Sequence, residues 1–80
     1  MTVGEAVAKR IEEVLMERKM SLYRLAKEAC IPIATLQNLY RGHTKSPTFT
    51  VILKICDALN MTIAEFIDCP YFNLENLELY

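Results

Sequence analysis

Two short helical patterns lie close together between Ser21 and Gly42, and they restrict the fold more than any other feature of this chain. The Ser21 hydroxyl can cap a helix, and apolar residues follow it at helical spacing: Leu22, Leu25, Ala26 and Ala29. Pro32 lacks a backbone N–H and disfavours α geometry in the residue before it, so this helix ends near Ala29 or Cys30. Pro32 also suits the first turn of the next helix, which Gly42 can end by adopting a positive φ.

The turn between these helices is tight and apolar. Small Ala26 lets the next helix cross closely, and Ile31 in the turn is expected to enter the core. Leu36, Leu39 and Tyr40 form the apolar side of that helix. This arrangement is typical of a helix-turn-helix. The opposite side of the second helix is then expected to face solvent: Ile33, Ala34, Gln37, Asn38 and Arg41.

Three more helices are predicted around this pair. The first runs from about Val3 to Lys19 and has an apolar stripe: Val7, Ile11, Val14 and Leu15. The fourth begins near Thr48 and ends at Asn60, and it also has one apolar face: Phe49, Ile52, Ile55, Cys56 and Leu59. Thr62 caps the fifth, with a glutamate three residues later, and its inward residues are expected to be Ile63, Phe66 and Ile67.

Pro70 ends the fifth helix and divides the chain. Residues 1–69 are expected to form a single all-α domain, a compact bundle of four to five short helices with the helix-turn-helix at about 21–42. Residues 70–80 form a C-terminal tail with several apolar residues among acids, which fits either a strand or a helical turn. We treat this tail, together with the exposed parts of the fourth and fifth helices, as a candidate dimerisation surface.

The composition excludes several classes of protein. No apolar run approaches the roughly 20 residues that span a bilayer, and the N-terminal residues lack the apolar core of a signal peptide, so a cytoplasmic protein without a membrane partner is expected. Three cysteines, Cys30, Cys56 and Cys69, and one histidine lack metal-ligand spacing, which predicts ordinary thiols and no metal. Ser21 has no histidine placed to activate it, and no other catalytic arrangement is found. We therefore expect no enzyme, no cofactor and no small-molecule substrate.

Charge is unevenly distributed along the chain, although the formal net charge is only −1. Residues 21–47 hold four cations against one acid, Glu28, and residues 48–80 hold one cation, Lys54, against five acids. Affinity for phosphates depends on where the cations lie more than on the total. The middle third therefore suits a phosphate-bearing partner, although an asymmetry of this size also arises by chance.

An ordered set of segments completes the pattern: Met20–Ala29, Ile31–Gly42, Leu53–Thr62 and Glu65-Phe66. With these segments at these spacings, the chain from Arg10 to Ile67 resembles the phage repressor and Cro family of lambda-repressor-like helix-turn-helix domains. The resemblance implies double-stranded DNA as the partner, a homodimer, and a third helix that lies in the major groove. Within this family the chain is interpreted as a sequence-specific transcriptional regulator, a repressor.

The resemblance also assigns residues to the two kinds of DNA contact. The candidates for reading bases lie on the third helix: Ile33, Ala34, Thr35, Gln37 and Asn38. The candidates for phosphate contacts lie on the helix starts and the loop after Gly42: Ser21, Tyr23, Arg41, His43, Thr44, Lys45 and Thr48. Each has a simpler alternative, namely a solvated surface residue, a helix cap for Ser21, or a half-buried side chain for Ile33.

The chain departs from the family pattern at three points. Leu22 stands where members usually have a phosphate-binding Gln, and Cys30 stands where they usually have a turn Gly. Leu15 and Tyr40 occupy the positions of a buried Arg–Glu pair, and exchanging such a pair for packing can be neutral or stabilising. The missing Gln, the sequence pI of about 5.8 and the apolar start of the third helix leave an alternative open: a protein-interaction or antitoxin-like module on the same fold.

Overall fold

Five α-helices and two 3₁₀ turns make up the computed structural model, which describes residues 1–79. The helices are α1 (Val3–Arg18), α2 (Leu22–Ala29), α3 (Ile33–Tyr40), α4 (Phe49–Ala58) and α5 (Ile63–Ile67). The 3₁₀ turns are Pro70–Phe72 and Leu74–Asn76. Over the described residues no strand forms, and the expected all-α fold with a helix-turn-helix is confirmed.

Side-chain caps fix where four of these helices begin. Ser21 and Thr48 accept hydrogen bonds from backbone N–H groups three residues on, at 3.1 Å and 3.2 Å. Thr62 and Glu65 form the expected capping box of α5, and a second capping box, which the sequence reading missed, begins α1. In both boxes the pKa of the glutamate is lowered because a backbone N–H and a threonine hydroxyl hydrogen-bond to its carboxylate.

Left-handed residues end several helices. Cys30 ends α2 at φ 56°, Asn60 follows α4 at φ 55°, and Gly42 follows α3 at φ 76°, as the sequence predicts. Lys19 caps α1 in the same way, at φ 53°. The helix therefore ends at Arg18, one residue before its predicted end at Lys19. Each non-glycine residue with this left-handed backbone geometry lowers the free energy of unfolding by on the order of 1 kcal/mol. These sharp ends allow short helices to reverse direction around one core.

The core is built from one face of each helix. Its fully buried side chains come from every helix: Val7, Ile11, Val14, Leu25, Leu36, Leu39, Ile55, Leu59 and Phe66. Ile31, in the turn, is also buried, as predicted. Helix α1 packs against α3, and α2 packs against both α3 and α4. The helix-turn-helix is therefore supported by α1, which packs against α3, and by α4, which packs against α2.

Two predicted core residues lie at the surface instead. Phe49 is 58% exposed and Ile67 is 43% exposed. Phe49 falls on the apolar stripe by periodicity, but it is the first residue of α4 and its side chain stays largely in solvent. Ile67 follows the buried Phe66 in a helix of only five residues, so it points about 100° away from the inward direction. Helical periodicity predicted the apolar side of each helix, but it did not predict which residues of that side are buried by the rest of the fold.

The segment after α5 folds back on α1 as 3₁₀ turns, which settles the choice between strand and helical turn. Phe72 packs against Phe66, with ring centroids 6.2 Å apart. Glu78 N donates to the carbonyl of Met1 at 2.8 Å, which joins the tail to the start of α1. Asn76 Nδ2 donates to the carbonyl of Pro70 at 2.8 Å and closes the turns on themselves.

The side chain of Arg10 connects α1 to α5 through hydrogen bonds. Its Nε donates to the carbonyl of Phe66 at 2.7 Å, and its Nη2 donates to that of Glu65 at 3.0 Å. Its Nη1 pairs with Glu13 Oε1 at 2.6 Å. The hydroxyl of Tyr71 donates to the other oxygen of Glu13 at 3.0 Å, which raises the pKa of Tyr71. One arginine thereby satisfies the carbonyl end of α5 and, through Glu13, holds the tail.

Candidate nucleic-acid interface

Helix α3 divides sharply between a buried and an exposed face. Leu36 is fully buried and Leu39 is 2% exposed. The opposite face contains five of the sequence candidates: Ala34, Thr35, Asn38 and Arg41 are exposed, and Gln37 is half-buried. Ile33, the remaining base-reading candidate, is half-buried and packs against the core cluster. We call Ala34, Thr35, Gln37, Asn38 and Arg41 the recognition face.

Tyr23 connects α2 to the recognition face. It lies in the first turn of α2 and is 67% exposed. Gln37 Nε2 donates to the Tyr23 hydroxyl oxygen at 3.4 Å. Because that oxygen serves here as the acceptor, its own O–H proton remains available to an external acceptor such as a phosphate oxygen. The structure thus brings together one base-reading candidate and one phosphate candidate from different helices.

The helices before and after α3 in the chain, α2 and α4, both begin at a capped residue. The Ser21 and Thr48 hydroxyls are both occupied as caps, so each fixes a helix N-terminus rather than projecting freely. Helix N-termini carry partial positive charge and favour anions. Leu22, where the resembled family usually has Gln, is half-buried and packs against the core cluster. It contributes packing, and its position offers no side-chain donor.

The segment after α3 is tied to both α3 and α1. His43 N donates to the carbonyl of Asn38 at 2.9 Å, which continues the helix end into the segment. Gly4 N, at the start of α1, donates to the carbonyl of Lys45 at 2.9 Å. His43 and Lys45 are exposed, and Thr44 is half-buried. We call residues 43–46 the phosphate loop, because this segment contains three of the phosphate candidates.

Cations outnumber acids around this surface. Arg41, Lys45 and Lys27 are exposed. Glu28, the only acid in residues 21–47, pairs with Arg24 Nε at 3.1 Å. The acids of residues 48–80 belong to α4, α5 and the tail. The exposed cations of residues 21–47 therefore lie on α2, at the end of α3 and in the phosphate loop, and Glu5 and Glu12 of α1 line a surface pocket with Arg41.

The chain can now be compared with known proteins. Residues 10–70 match the model of the Cro/C1-type HTH DNA-binding domain. The chain belongs to this family. The matched stretch contains α2 to α5, so the helix pair, the phosphate loop and the recognition face all lie within the family domain. No curated protein and no solved structure matches the chain.

Membership makes this Cro/C1-type domain a DNA-binding protein of a family of transcription regulators rather than of enzymes. The resemblance drawn from the sequence is confirmed. Among the helices of residues 1–79, none is long and apolar enough to cross a membrane. Within the same part of the chain, no group of three or more His, Cys, Asp or Glu side chains is arranged to hold a metal ion.

The departures of this Cro/C1-type domain are accommodated by packing and backbone geometry. Leu15 is 5% exposed, and Tyr40 packs against the same core cluster, so apolar contact replaces the expected ion pair. Cys30 adopts the left-handed geometry that a turn glycine would adopt without strain. It is exposed, whereas Cys56 is buried, which raises the pKa of the Cys56 thiol.

Two features of the site were missed by the sequence reading. The Tyr23–Gln37 hydrogen bond joins residues 14 apart in the chain, and no local pattern indicates it. Gly4 approaches the phosphate loop so closely that no side chain fits there. A glycine inside a helical pattern is unfavourable and often indicates close packing against it, so the sequence does contain a signal for this contact.

Proposed function

We propose that the protein is a transcriptional repressor that binds a two-fold symmetric DNA site as a homodimer, with α3 in the major groove. One observation carries the proposal: α3 buries Leu36 and Leu39 and turns the recognition face outward. A helix presented in this way can enter the major groove of B-DNA. In this proposal the bound dimer represses by occupying DNA that the transcription machinery needs.

Sequence would be read by two kinds of contact. Gln37 and Asn38 present amides that can exchange two hydrogen bonds with N6 and N7 of adenine. Ala34, the methyl group of Thr35 and the exposed part of Ile33 suit the methyl group of thymine. The Tyr23 hydroxyl restricts the rotamers of the Gln37 amide, which favours one orientation at the base edge. A site rich in A·T pairs at its centre of contact is therefore expected.

Phosphate contacts would fix the register of α3. Arg41, His43 and Lys45 are exposed donors at the end of α3 and in the phosphate loop, and Thr44 lies between them. Ser21 and Thr48 would act through the helix starts that they cap, where backbone N–H groups favour anions. Tyr23 would donate its O–H. These contacts position the domain without specifying sequence.

A dimer is supported by an apolar strip and by the size of the domain. Phe49 and Leu53 lie four residues apart on α4 and are 58% and 44% exposed. The domain measures 32 × 23 × 20 Å. Recognition helices in successive major grooves lie roughly 34 Å apart, which is close to the longest dimension of the domain. We propose the Phe49–Leu53 strip as the dimer surface, and we place the protein in the cytoplasm of a bacterial cell, with the DNA of the host or of its phage.

The experiment is selection from a pool of random duplexes at moderate and then higher salt, with wild-type protein and Gln37→Ala in parallel. The proposal expects a palindromic motif that Gln37→Ala relaxes at particular positions. Asn73→Ala is the control, because Asn73 is exposed and its side chain makes no cap hydrogen bond. Enrichment of no motif would reject α3 as the reading helix and favour a protein partner. Enrichment of the same motif by wild type and Gln37→Ala would exclude Gln37 from base reading.

The dimer is tested separately. Leu53→Ser and Phe49→Ser should each weaken self-association in sedimentation and make binding to a palindromic site less cooperative, with binding to a half-site unchanged. Lys54→Ser, an exposed residue of the same helix, is the control. A wild-type protein that stays monomeric on its palindromic site would exclude this surface.

A further inference from the structure

Gly4 lies closer to the phosphate loop than any side chain would permit. A Cβ built on Gly4 would be 1.5 Å from the carbonyl oxygen of Thr44 and 2.7 Å from its carbonyl carbon. It would also lie 3.2 Å from the carbonyl carbon of Lys45. These neighbours are backbone atoms, which no rotamer change can move aside. The start of α1 therefore touches the loop backbone directly.

The contact is also hydrogen-bonded. Gly4 is the second residue of α1, where the backbone N–H has no partner inside the helix. That N–H donates to the carbonyl of Lys45 at 2.9 Å. The hydrogen bond holds the backbone of the loop against Gly4. This close approach is possible because Gly4 has no Cβ.

We infer that Gly4 is a positioning residue for DNA binding: it sets where the phosphate loop, and with it Lys45, stands relative to the recognition face. This inference rests on the proposed function, because it assumes that Lys45 contacts a phosphate. Gly4 itself faces no ligand. Its effect passes through the backbone of Thr44 and Lys45.

The loop, rather than the helix, should move when a side chain is added. The start of α1 is fixed by the Thr2–Glu5 capping box and by the hydrogen bond of Glu78 to Met1. Lys45 and Ser46 are exposed. A methyl group at position 4 would therefore break the hydrogen bond to Lys45 and push the loop outward. Alanine is otherwise a better helix former than glycine, so the substitution has no other reason to weaken binding.

The test measures affinity for a labelled mixed-sequence duplex as a function of salt, for wild type, Gly4→Ala, Lys45→Ala and the double variant. Losing one phosphate contact lowers the slope of log affinity against log salt by about one. Lys45→Ala is expected to show this loss, Gly4→Ala a similar one, and the double variant no more than either. Thr2→Ala is the matched control, because it weakens the same helix end without entering the loop; its melting temperature should fall and its slope should not.

The outcomes separate the two claims. A normal slope for Lys45→Ala would reject the phosphate loop of the proposed function. A reduced slope for Lys45→Ala with a normal slope for Gly4→Ala, or additive losses in the double variant, would overturn the role of Gly4. If Gly4→Ala fails to fold, hydrogen exchange of the wild-type Gly4 amide decides. Protection that increases when duplex is added supports the inference, and exchange at the rate of an exposed helix start overturns it.

Discussion

Arg10 and Arg24 show how differently one residue type serves two regions of this molecule. Each pairs with a glutamate of its own helix, Arg10 with Glu13 and Arg24 with Glu28. The Arg10 side chain is 12% exposed and also donates to two backbone carbonyls of α5. The Arg24 side chain is 64% exposed, and within residues 1–79 it pairs with Glu28 alone. Similar pairs in sequence are therefore an internal brace in one place and a solvated surface pair in the other.

The same contrast holds for the two regions as wholes. The region of α1, α5 and the tail, which we call the braced region, directs its polar side chains at its own backbone, as Arg10 and Asn76 do. The recognition face directs its polar side chains outward, and Gln37 is held by a single long hydrogen bond. Away from the contact of Gly4 with the phosphate loop, substitutions in the braced region should change stability, and substitutions on the recognition face should change binding.

The largest effect is expected from the two arginines. Arg10→Ala removes three hydrogen bonds from a mostly buried guanidinium and should lower the free energy of unfolding by about 2–3 kcal/mol. Arg24→Ala removes an exposed pair and should cost roughly 0.5 kcal/mol or less. Urea unfolding followed by circular dichroism measures both. Equal losses from the two variants would remove the distinction between brace and surface pair.

Two asparagines test the contrast in both directions. Asn38→Ala should cost about 1–3 kcal/mol in discrimination between the correct and a wrong base pair, and it should change stability by no more than about 0.5 kcal/mol. Asn76→Ala removes the hydrogen bond to Pro70 and should cost about 1 kcal/mol of stability with DNA affinity unchanged. Competition binding and urea unfolding on both variants give four values. A loss of affinity in Asn76→Ala would show that the regions are coupled.

Local sequence signals predicted the parts of this molecule that are themselves local. The stripe of Leu36 and Leu39 and the cap at Ser21 follow from spacing within one helix and are present as expected. Arg10 was not singled out, because its partner carbonyls lie 55 and 56 residues away and leave no periodic trace. The prediction that Phe49 is buried failed for the same reason, because the sequence of one helix does not show which of its residues other helices pack against.

The site was predictable to a similar limit. The outward side of α3 follows from its buried side, and the exposure of Asn38 and Arg41 agrees with that expectation. Whether these side chains contact bases or phosphates stays a prediction. The Gly4 contact joins the start of α1 to residues 40 positions later, and only the folded chain brings them together.

A smaller effect is expected at the turn of the helix-turn-helix, which lies between the two regions. Cys30 adopts φ 56°, and glycine reaches this geometry without strain. Cys30→Gly should therefore raise the free energy of unfolding by about 1 kcal/mol. Cys30→Ala keeps a Cβ in the same geometry and should give no such gain. If both variants gain equally, the effect belongs to the loss of the thiol and not to the backbone.

The smallest effect is expected from the two capping boxes of the braced region, which begin α1 and α5. Glu5 and Glu65 have pKa values lowered from the ordinary 4.5, first through the backbone N–H of Thr2 and of Thr62. The ionised carboxylates therefore stabilise the fold above that ordinary pKa, and this contribution is lost as the pH falls through the lowered values.

The melting temperature should accordingly fall as the pH drops below 4.5, and the double variant Glu5→Gln, Glu65→Gln should lose less over the same interval. Glutamine keeps an oxygen that can accept the same hydrogen bonds but has no proton to gain in this range. Thermal unfolding across this pH interval, with Glu12→Gln and Glu17→Gln as exposed controls on α1, measures the difference. Parallel curves for wild type and the double variant would place the acid sensitivity elsewhere.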